Sequence, residues 1–346
     1  MLETLIDIES FLEIRHTSVI IDVRAPIEYN NGHIPGSINI PLFSDEERKV
    51  VGTKYTKVGR MQAVIAGLDY VGPKMSSFIK DLNSISKDKK VLVYCWRGGM
   101  RSEAMCFILK TAGFKVFRLK HGYKAYRNYI HQSFEESVKL IVLGGMTGSG
   151  KTVILQEIRN LGYQVLDLED LANHKGSAFG KVGQLPQPTN EQFENNMYEI
   201  WKRFDFNLPV WIEDESMDIG KVKIPYLIYQ AIRNASVINL KIEREARAAR
   251  LVEEYSGNDE ELKDAFERIK KRIGGLNLKN AIKAIDEKDY ITAVMIALHY
   301  YDKTYEYGIS KRAVSTVFNV QLESENNAEN AKQIIKVAKN SLPHLF

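Results

Sequence analysis

The stretch LIVLGGMTGSGKT, residues 140–152, decides the fold of the larger part of this chain. An apolar run leads into a full G-x-x-x-x-G-K-T match, and a helix-like segment follows it. In that context glycines let backbone N–H groups surround phosphate oxygens, and the helix N-terminus adds partial positive charge. The motif therefore predicts a phosphate-binding loop made by Gly145, Gly148, Gly150, Lys151 and Thr152.

The segment after this loop continues an α/β pattern. KTVILQEIRNLG, residues 151–162, predicts a helix that ends at Gly162, and a strand is predicted at 163–170. The inner face of the helix is predicted to carry four apolar side chains, those of Val153, Leu155, Ile158 and Leu161. After about residue 242 the chain is predicted to be helical and charged.

An acidic partner for the phosphate loop is expected at the end of another strand. PVWIEDES, residues 209–216, places Glu213, Asp214 and Glu215 directly after three strand-like residues. Asp214 or Glu213 is the preferred acid, and Thr152 with Asp214 could hold Mg²⁺. A solvated acidic turn is the alternative reading of this segment.

A separate α/β unit precedes the phosphate loop. Short runs rich in β-branched residues at 18–24, 90–95 and 115–120 predict buried parallel strands. A helix lies between the last two, with Met105, Ile108 and Leu109 on its inner face and a stop at Gly113. The predicted organisation is an α/β domain at 1–130, a linker at 131–138 and a second α/β domain with a helical C-terminal part at 139–346.

A cysteine loop lies in the first unit, in VYCWRGGMRS, residues 93–102. Cys95 follows a strand and precedes a helix, and nearby arginines would stabilise its thiolate, so Cys95 is the candidate nucleophile. The anion-binding residues of the loop are predicted to be Arg97, Gly98, Gly99, Arg101 and Ser102, with Ser102 also capping the next helix. Upstream, Asp22 could pair with an arginine, and Cys106 is expected to be an inert core residue.

Composition sets the class of protein but not its partner. Hydrophobic residues are 44% of 346 and charged residues 27%, an ordinary globular balance, and the net charge of +4 permits nucleic acid without arguing for it. No apolar run is long enough to span a membrane, and the N-terminus does not resemble a signal peptide. With two cysteines in all, a cytoplasmic location with reduced thiols is expected.

DVRAPIEYNNGHIPGSINIP (22–41) followed by YCWRGGMRS resembles a rhodanese domain over about residues 5–130. That family carries sulfur on its loop cysteine as a persulfide. The common rhodanese loop has four residues between cysteine and arginine, whereas five separate Cys95 from Arg101 here. The longer loop is similar to that of the Cdc25-type phosphatases, which binds phosphate. The loop alone leaves open whether it holds a chalcogen or a phosphate.

The two units together resemble the tRNA 2-selenouridine synthases over nearly the whole chain. The resemblance rests on LGGMTGSGKT, ANHKGSAFG (172–180), QPTNEQFEN (187–195) and EDESMDIG (213–220), in that order. It implies an enzyme that converts 2-thiouridine at the tRNA wobble position to 2-selenouridine. Sulfur would first be geranylated from geranyl diphosphate, and selenophosphate would then supply selenium through Cys95. The resemblance also places His174 and Lys175 at the phosphate site, although a glycine-rich surface loop is the alternative there.

Implied partners are the tRNA anticodon region, selenophosphate, geranyl diphosphate and the enzyme that produces selenophosphate. No cofactor is certain, and Mg²⁺ is the one candidate. For tRNA contact the candidates are Arg244, Arg247 and Arg250, which extend a stripe from Lys241, together with basic residues at 268–272. A solvated face and a lid of arginines over the diphosphate are the two alternatives for the stripe. Aromatic residues at 299–308 could stack on bases or pack in the core.

Two other functions compete with this one. The first is a Cdc25-like cysteine phosphatase fused to a small-molecule P-loop kinase, which would turn over ATP and need no tRNA. The second makes the rhodanese-like unit a binding module without catalysis, so that Cys95→Ala would leave activity intact. Neither alternative accounts for the ordered segments after residue 172.

Overall fold

The protein is described here by a computed structural model that covers residues 4–322 and 326–346. The chain forms two compact units, Met1–Ser133 and Phe134–Phe346. The predicted linker at 131–138 begins inside the last turn of a helix that ends at Ser133. The side chain of Phe134 packs edge-on against Trp201 within the second unit, with ring centroids 5.7 Å apart.

The first unit is a five-stranded sheet flanked by helices. Its elements are β1 (Thr4–Ile6), α1 (Ile8–Ile14), β2 (Val19–Asp22), α2 (Pro26–Asn31), β3 (Ser37–Asn39), α3 (Asp45–Lys57), α4 (Arg60–Val71), α5 (Met75–Ile85), β4 (Lys90–Tyr94), α6 (Met100–Thr111), β5 (Lys115–Leu119) and α7 (Gly122–Ser133). The strand order is β1-β5-β4-β2-β3, and every pair is parallel. The carboxyl ends of these strands therefore meet at one edge, where Cys95 follows β4.

The second unit has its own parallel sheet and a helical region. Its elements are β6 (Leu140–Gly145), α8 (Lys151–Asn160), β7 (Gln164–Leu166), α9 (Leu168–Ala172), α10 (Asn190–Trp201), β8 (Val210–Glu213), β9 (Asp218–Ile219), β10 (Val222–Lys223), α11 (Tyr226–Asn234), β11 (Ser236–Lys241), α12 (Arg244–Tyr255), α13 (Asp259–Arg268), α14 (Lys270–Ile273), α15 (Gly275–Asp286), α16 (Tyr290–Ser310), β12 (Val317–Gln321) and α17 (Asn327–Ser341). The main sheet has the order β12-β11-β6-β8-β7, and all its pairs are parallel. The predicted fold class is confirmed.

Several local predictions were wrong. Val153 and Leu161 are 47% and 40% exposed, because the inner face of α8 carries Ile154 in place of Val153. The strand predicted at 163–170 ends at Leu166, where Asp167 accepts a hydrogen bond from the backbone of Asp170 and begins α9.

The region predicted to be helical after residue 242 contains a strand. β12 pairs with β11 in parallel register from Val237–Val317 to Lys241–Gln321. Lys241 therefore lies in β11 and does not belong to the helical stripe that begins at Arg244. No helix among the described residues is long and apolar enough to cross a membrane.

Candidate functional site

The cysteine loop is shaped by its contact with the start of α7. The backbone N–H of Tyr123 donates to the Cys95 carbonyl at 2.8 Å. Gly122 has φ +59°, and a Cβ there would collide with the Cys95 carbonyl oxygen and lie 2.5 Å from the Gly98 nitrogen. Only glycine lets the two backbones approach this closely. The loop is thus held in place by backbone atoms from another part of the unit.

The Cys95 thiol is 3% exposed and faces the start of α6. Its Sγ lies 3.2 Å from Ser102 Oγ and 3.9 Å from the Gly99 carbonyl. Ser102 Oγ also lies 2.9 Å from the Gly99 carbonyl, so the thiol and the hydroxyl share this acceptor and either of them can donate to the other. A thiolate would need the hydroxyl to turn towards it. The predicted helix-capping role of Ser102 was wrong, since Gly99 stands at the cap position.

The two loop arginines differ in their surroundings. Arg101 forms a two-pronged ion pair with Glu28, with N–O distances of 2.5 and 3.2 Å. Burial alone would raise the pKa of Glu28, but the hydrogen bonds and charge of Arg101 lower it. A second guanidinium, that of Arg48, lies 3.6 Å from the same carboxylate. Arg97 is exposed and forms no ion pair among the residues that the structure describes.

A buried ion pair between Asp22 and Arg24 lies next to the cysteine loop. Asp22 accepts hydrogen bonds from Arg24 at 2.7–3.1 Å, which confirms the predicted pairing of Asp22 with an arginine. The Arg24 guanidinium also lies 3.9 Å from the ring centroid of Tyr123. Burial disfavours its charge, yet the hydrogen bonds and charge of Asp22 outweigh burial and raise the pKa of Arg24. Cys106 is fully buried in the core of this unit, as expected.

The phosphate loop of the second unit joins β6 to α8 as predicted. Its three glycines have positive φ, +157° at Gly145, +80° at Gly148 and +75° at Gly150. Lys151 Nζ donates to the Gly145 carbonyl at 3.0 Å, so the ammonium lies over the loop. Ser149 Oγ is buried and has no hydrogen-bond partner within the described residues. The loop thus presents an ammonium and an unpaired hydroxyl to a ligand.

The carboxylates of Glu169 and Glu215 lie beside the phosphate loop. They are not those of Asp214 and Glu213, the acids preferred from the sequence. Thr152 Oγ1 donates to Glu169 Oε2 at 3.1 Å. Glu215 is buried next to Glu169, and burial followed by the charge of Glu169 raises the pKa of Glu215 well above its usual range. A Cβ on Gly176 would lie 2.7 Å from a Glu215 oxygen and 2.9 Å from a Glu169 oxygen, so both carboxylates face that glycine.

The acids preferred from the sequence have other partners. Asp214 lines a large cavity that lies beside the phosphate loop. Its carboxylate, however, is paired with Arg312 at 2.6 Å and with Arg233 at 3.0 Å. Glu213 is fully buried and accepts a hydrogen bond from the backbone of Leu168 at 3.0 Å. Glu169 lay inside the strand predicted at 163–170, so a rule that looks for acids after a strand passed over it; β7 in fact ends at Leu166.

The segment 172–180 contributes to the cavity through Lys175 and the residues after it. Lys175 Nζ forms an ion pair with Glu254, and burial lowers the pKa of Lys175. His174 is 7% exposed, burial lowers its pKa, and its Nδ1 has no partner within the described residues. Lys175 lines the cavity, whereas His174 packs behind the segment against Gly180.

The three arginines of α12 do not form one surface. Arg247 is 3% exposed, donates to both oxygens of Asp302 and holds the Thr147 carbonyl of the phosphate loop at 3.0 Å. The burial of Arg247 leaves it neither on a solvated face nor on a surface that RNA could contact; its support of the phosphate loop was not among the predicted roles. Arg250 lines the cavity and donates to the Gly148 carbonyl at 3.1 Å. Arg244 is half-buried and also pairs with Asp302.

The cavity beside the phosphate loop has a volume of about 890 Å³ and a mixed lining of charged and apolar side chains. The large apolar and aromatic side chains in this lining include those of Tyr229, Leu251, Tyr255, Tyr301, Tyr305 and Ile309. The aromatic residues predicted to stack on bases or to pack in the core thus include three that line this cavity, Tyr300, Tyr301 and Tyr305. A smaller apolar slot of about 30 Å³ shares Thr147, Leu251, Tyr255 and Tyr301 with it and is closed by Phe179 and Phe266.

Comparison with known proteins assigns both units. Residues 7–129 match the rhodanese-like domain, and residues 138–333 match the tRNA 2-selenouridine synthase AAA domain. A tRNA 2-selenouridine synthase of Sulfurovum sp. is 34% identical over 335 residues, which cover 86% of this chain and 91% of that protein. The one from Shewanella sp. is 34% identical over 336 residues, with 86% and 91% covered. That of Nitrosomonas eutropha is 40% identical over 228 residues, with 63% and 58% covered. The chain therefore belongs to the tRNA 2-selenouridine synthase family, as the order of its motifs predicted.

Proposed function

We propose that this enzyme converts 2-thiouridine at the wobble position of tRNA to 2-selenouridine in two steps, geranylation of the sulfur and replacement of the geranylated sulfur by selenium. One observation carries the proposal. The phosphate loop lines a cavity that is also lined by apolar and aromatic side chains. Such a cavity suits a prenyl diphosphate, which is charged at one end and apolar along the rest.

Geranyl diphosphate would place its phosphates in the loop. Lys151 and Arg250 carry the positive charge there, and the loop N–H groups supply donors for the departing pyrophosphate. The oxygens of Thr152 and Glu169, 3.1 Å apart, suit Mg²⁺ bound together with a diphosphate. The geranyl chain would lie along Tyr255 and Tyr301, towards the apolar slot. Alkylation turns sulfur into a better leaving group, which leaves as geranyl thiol in the second step.

The cysteine loop would handle selenophosphate. Its phosphate would bind the loop amides and Arg101, and Cys95 would hold the selenium against the base and protonate the departing sulfur. The selenium forms the new bond to C2 of the uridine as the bond from C2 to the geranylated sulfur breaks and geranyl thiol leaves. Water then cleaves the phosphorus–selenium bond and releases phosphate, so no atom changes its oxidation state. The five-residue spacing of the loop supports this role because it leaves room for a tetrahedral phosphate. Restoring a four-residue spacing should spare tRNA binding and abolish selenium transfer.

Mass spectrometry of nucleosides from tRNA treated with purified protein tests both steps separately. With geranyl diphosphate alone, Lys151→Ala should give no S-geranyl-2-thiouridine, because the loop loses its ammonium. With geranyl diphosphate and selenophosphate, Cys95→Ala should accumulate that nucleoside and make no 2-selenouridine, while Cys106→Ala, a change in the core, serves as the matched cysteine control.

Two results would contradict the proposal. If Cys95→Ala makes 2-selenouridine at the wild-type rate, the rhodanese-like unit is a binding module without catalysis. If the wild-type protein leaves 2-thiouridine unchanged but hydrolyses ATP and a phosphate monoester, the reading as a phosphatase fused to a kinase takes its place.

A further inference from the structure

A pair of helices in the first unit forms a protruding basic surface. Helices α3 and α4 are joined by two residues and pack on each other, and α3 has no buried residue. All residues from 53 to 58 are exposed, so the helix is open to solvent on every side there. We name residues 48–60 the basic arm.

The charge of the basic arm is of one sign. It contains Arg48, Lys49, Lys54, Lys57 and Arg60 and no acid, and no acid follows before Asp69. These five positive charges exceed the net charge of the whole chain, which is +4. Helix α3 begins with three acids, Asp45, Glu46 and Glu47, and the positive charges that follow them form a run of one sign that suits a polyanionic partner.

The lysines of the basic arm are also unpaired, in contrast to lysines elsewhere in the chain. Lys49, Lys54, Lys57 and Arg60 form no ion pair with any residue that the structure describes. In the C-terminal helices, by comparison, Lys263 lies 2.8 Å from Asp286. Unpaired exposed cations can neutralise phosphates without first giving up an ion pair, and the counterions condensed on the nucleic acid are then released.

The base of the arm reaches the cysteine loop. Arg48 Nε lies 3.6 Å from Glu28 Oε2, and the same oxygen accepts a hydrogen bond from Arg101 at 2.5 Å. The start of α3 is anchored by Glu47, which pairs with Lys74 at 2.5 Å and also caps the helix at Ser44. A polyanion lying along the arm would therefore end at the loop that holds Cys95.

We propose that the basic arm binds the sugar-phosphate backbone of tRNA next to the base that is presented to Cys95. This inference rests on the proposed function, which supplies an RNA substrate. Lysines spread over an exposed helix suit a phosphate backbone, which is bound by charge and needs no apolar seam. Tyr55, 53% exposed among these lysines, offers a ring on which an unpaired base can stack.

The test compares two variants of the full chain that each lose two exposed lysines of the same unit. Lys54→Gln/Lys57→Gln changes the arm, and Lys80→Gln/Lys87→Gln is the control outside it. Fluorescence anisotropy with a labelled tRNA transcript measures Kd at several salt concentrations. The arm variant should bind roughly tenfold more weakly at about 0.1 M salt, and the slope of log K against log salt should fall by about 1–2. The control should match the wild type.

Three outcomes would overturn the inference. Equal Kd and slope for wild type and arm variant would show that tRNA does not contact the arm. An equal loss in both variants would show that only net charge matters. The third concerns the exposed apolar face of α4: if Met61→Gln/Leu68→Gln blocks selenium transfer only when a selenophosphate-producing enzyme supplies the donor, and the lysine changes have no effect, the surface binds a protein.

Failure of the proposed function would give results that differ from failure of the basic arm alone. A wild-type protein that binds no tRNA at any salt concentration would remove both proposals together. A wild-type protein that binds and modifies tRNA, with an arm variant of unchanged affinity, would remove only the role of the arm. Thermal unfolding of each variant verifies that these exposed substitutions leave the fold intact.

Discussion

The buried ion pair behind the phosphate loop leads to a quantitative prediction for Asp302→Asn. Asp302 accepts hydrogen bonds from Arg247 at 2.8 and 2.9 Å, and the side chains of the pair are 4% and 3% exposed. The substitution keeps the shape of the side chain and removes its charge, so Arg247 becomes a buried cation without its counterion. Loss of one member of a buried pair costs about 3–5 kcal/mol of unfolding free energy, because the remaining charge stays desolvated.

Urea unfolding of the full chain, followed by tryptophan fluorescence, measures this cost. Two of the three tryptophans, Trp201 and Trp211, are buried in the second unit and report its unfolding. With a slope of about 2 kcal/mol per molar urea, the midpoint should fall by about 1.5–2.5 M. Asp218→Asn is the matched control: it removes the same charge from an exposed pair with Lys223, 3.0 Å away, and should leave the midpoint unchanged.

A double variant separates lost charge from lost packing. Arg247→Met with Asp302→Asn contains no buried unpaired charge, so it should be more stable than Asp302→Asn alone. The double variant should bind inorganic pyrophosphate more weakly than the wild type, because it removes Arg247, which holds the Thr147 carbonyl of the phosphate loop at 3.0 Å. A midpoint for Asp302→Asn within about 0.3 M of the wild type, or a double variant no more stable than the single one, would refute this reasoning.

Three further substitutions test the two sites. Glu28→Gln should bind inorganic phosphate at the cysteine loop roughly three- to tenfold more tightly by calorimetry, because Arg101 loses its carboxylate partner. Unchanged affinity would show that the Glu28–Arg101 pair does not limit the access of phosphate to the loop. Burial raises the pKa of Glu213, so the folded wild type loses stability as the pH rises above 4.5, the usual pKa of this carboxyl. Glu213→Gln should therefore raise the urea midpoint more at pH 8 than at pH 5, and an equal gain at both pH values would contradict this. Gly122→Ala should stop selenium transfer and spare geranylation by nucleoside mass spectrometry, because its Cβ would collide with the Cys95 carbonyl; intact transfer would mean that the loop tolerates a shift.

The two loops could be predicted from the sequence because both depend on local backbone geometry. Gly98 and Gly150 have φ of +66° and +75°, values that side chains other than glycine rarely adopt. A strand before such a turn and a helix after it leave few alternative structures. The pairing of Asp22 with an arginine could also be predicted, since Asp22 and Arg24 lie two positions apart at the end of one strand.

The acids of the phosphate site were harder to predict because their identity depends on where the strands end. β8 ends at Glu213, whose side chain lies in the interior, while Glu215 two residues later reaches the neighbourhood of Lys151. In an acidic run a shift of one residue changes which carboxylate faces the phosphate. Glu169 was missed for a related reason: β7 stops at Leu166, and a helix carries Glu169 back towards Thr152.

Long-range packing accounts for the remaining errors. β12 has five residues and follows a helix of 21, so the helical pattern before it dominated the prediction. The burial of Arg247 depends on Asp302, which lies 55 residues away in the chain and can be paired with it only in the folded structure. A stripe of arginines at helical spacing has the same sequence pattern whether it faces RNA, a ligand or a buried carboxylate.

The two anion sites differ in what holds their basic side chains before a ligand arrives. In the second unit Lys151 and Arg250 donate to backbone carbonyls at 3.0 and 3.1 Å, and a diphosphate can replace these neutral acceptors without displacing a charge. In the first unit Arg101 donates to both oxygens of Glu28. Hydrogen bonds between charged groups are about twice as strong as neutral ones, so an anion near Cys95 must compete with a carboxylate. In the proposed reaction a diphosphate would therefore meet cations that no carboxylate holds, while an anion at the cysteine loop would compete with Glu28 for Arg101, a difference that agrees with the proposed geranylation before selenium transfer.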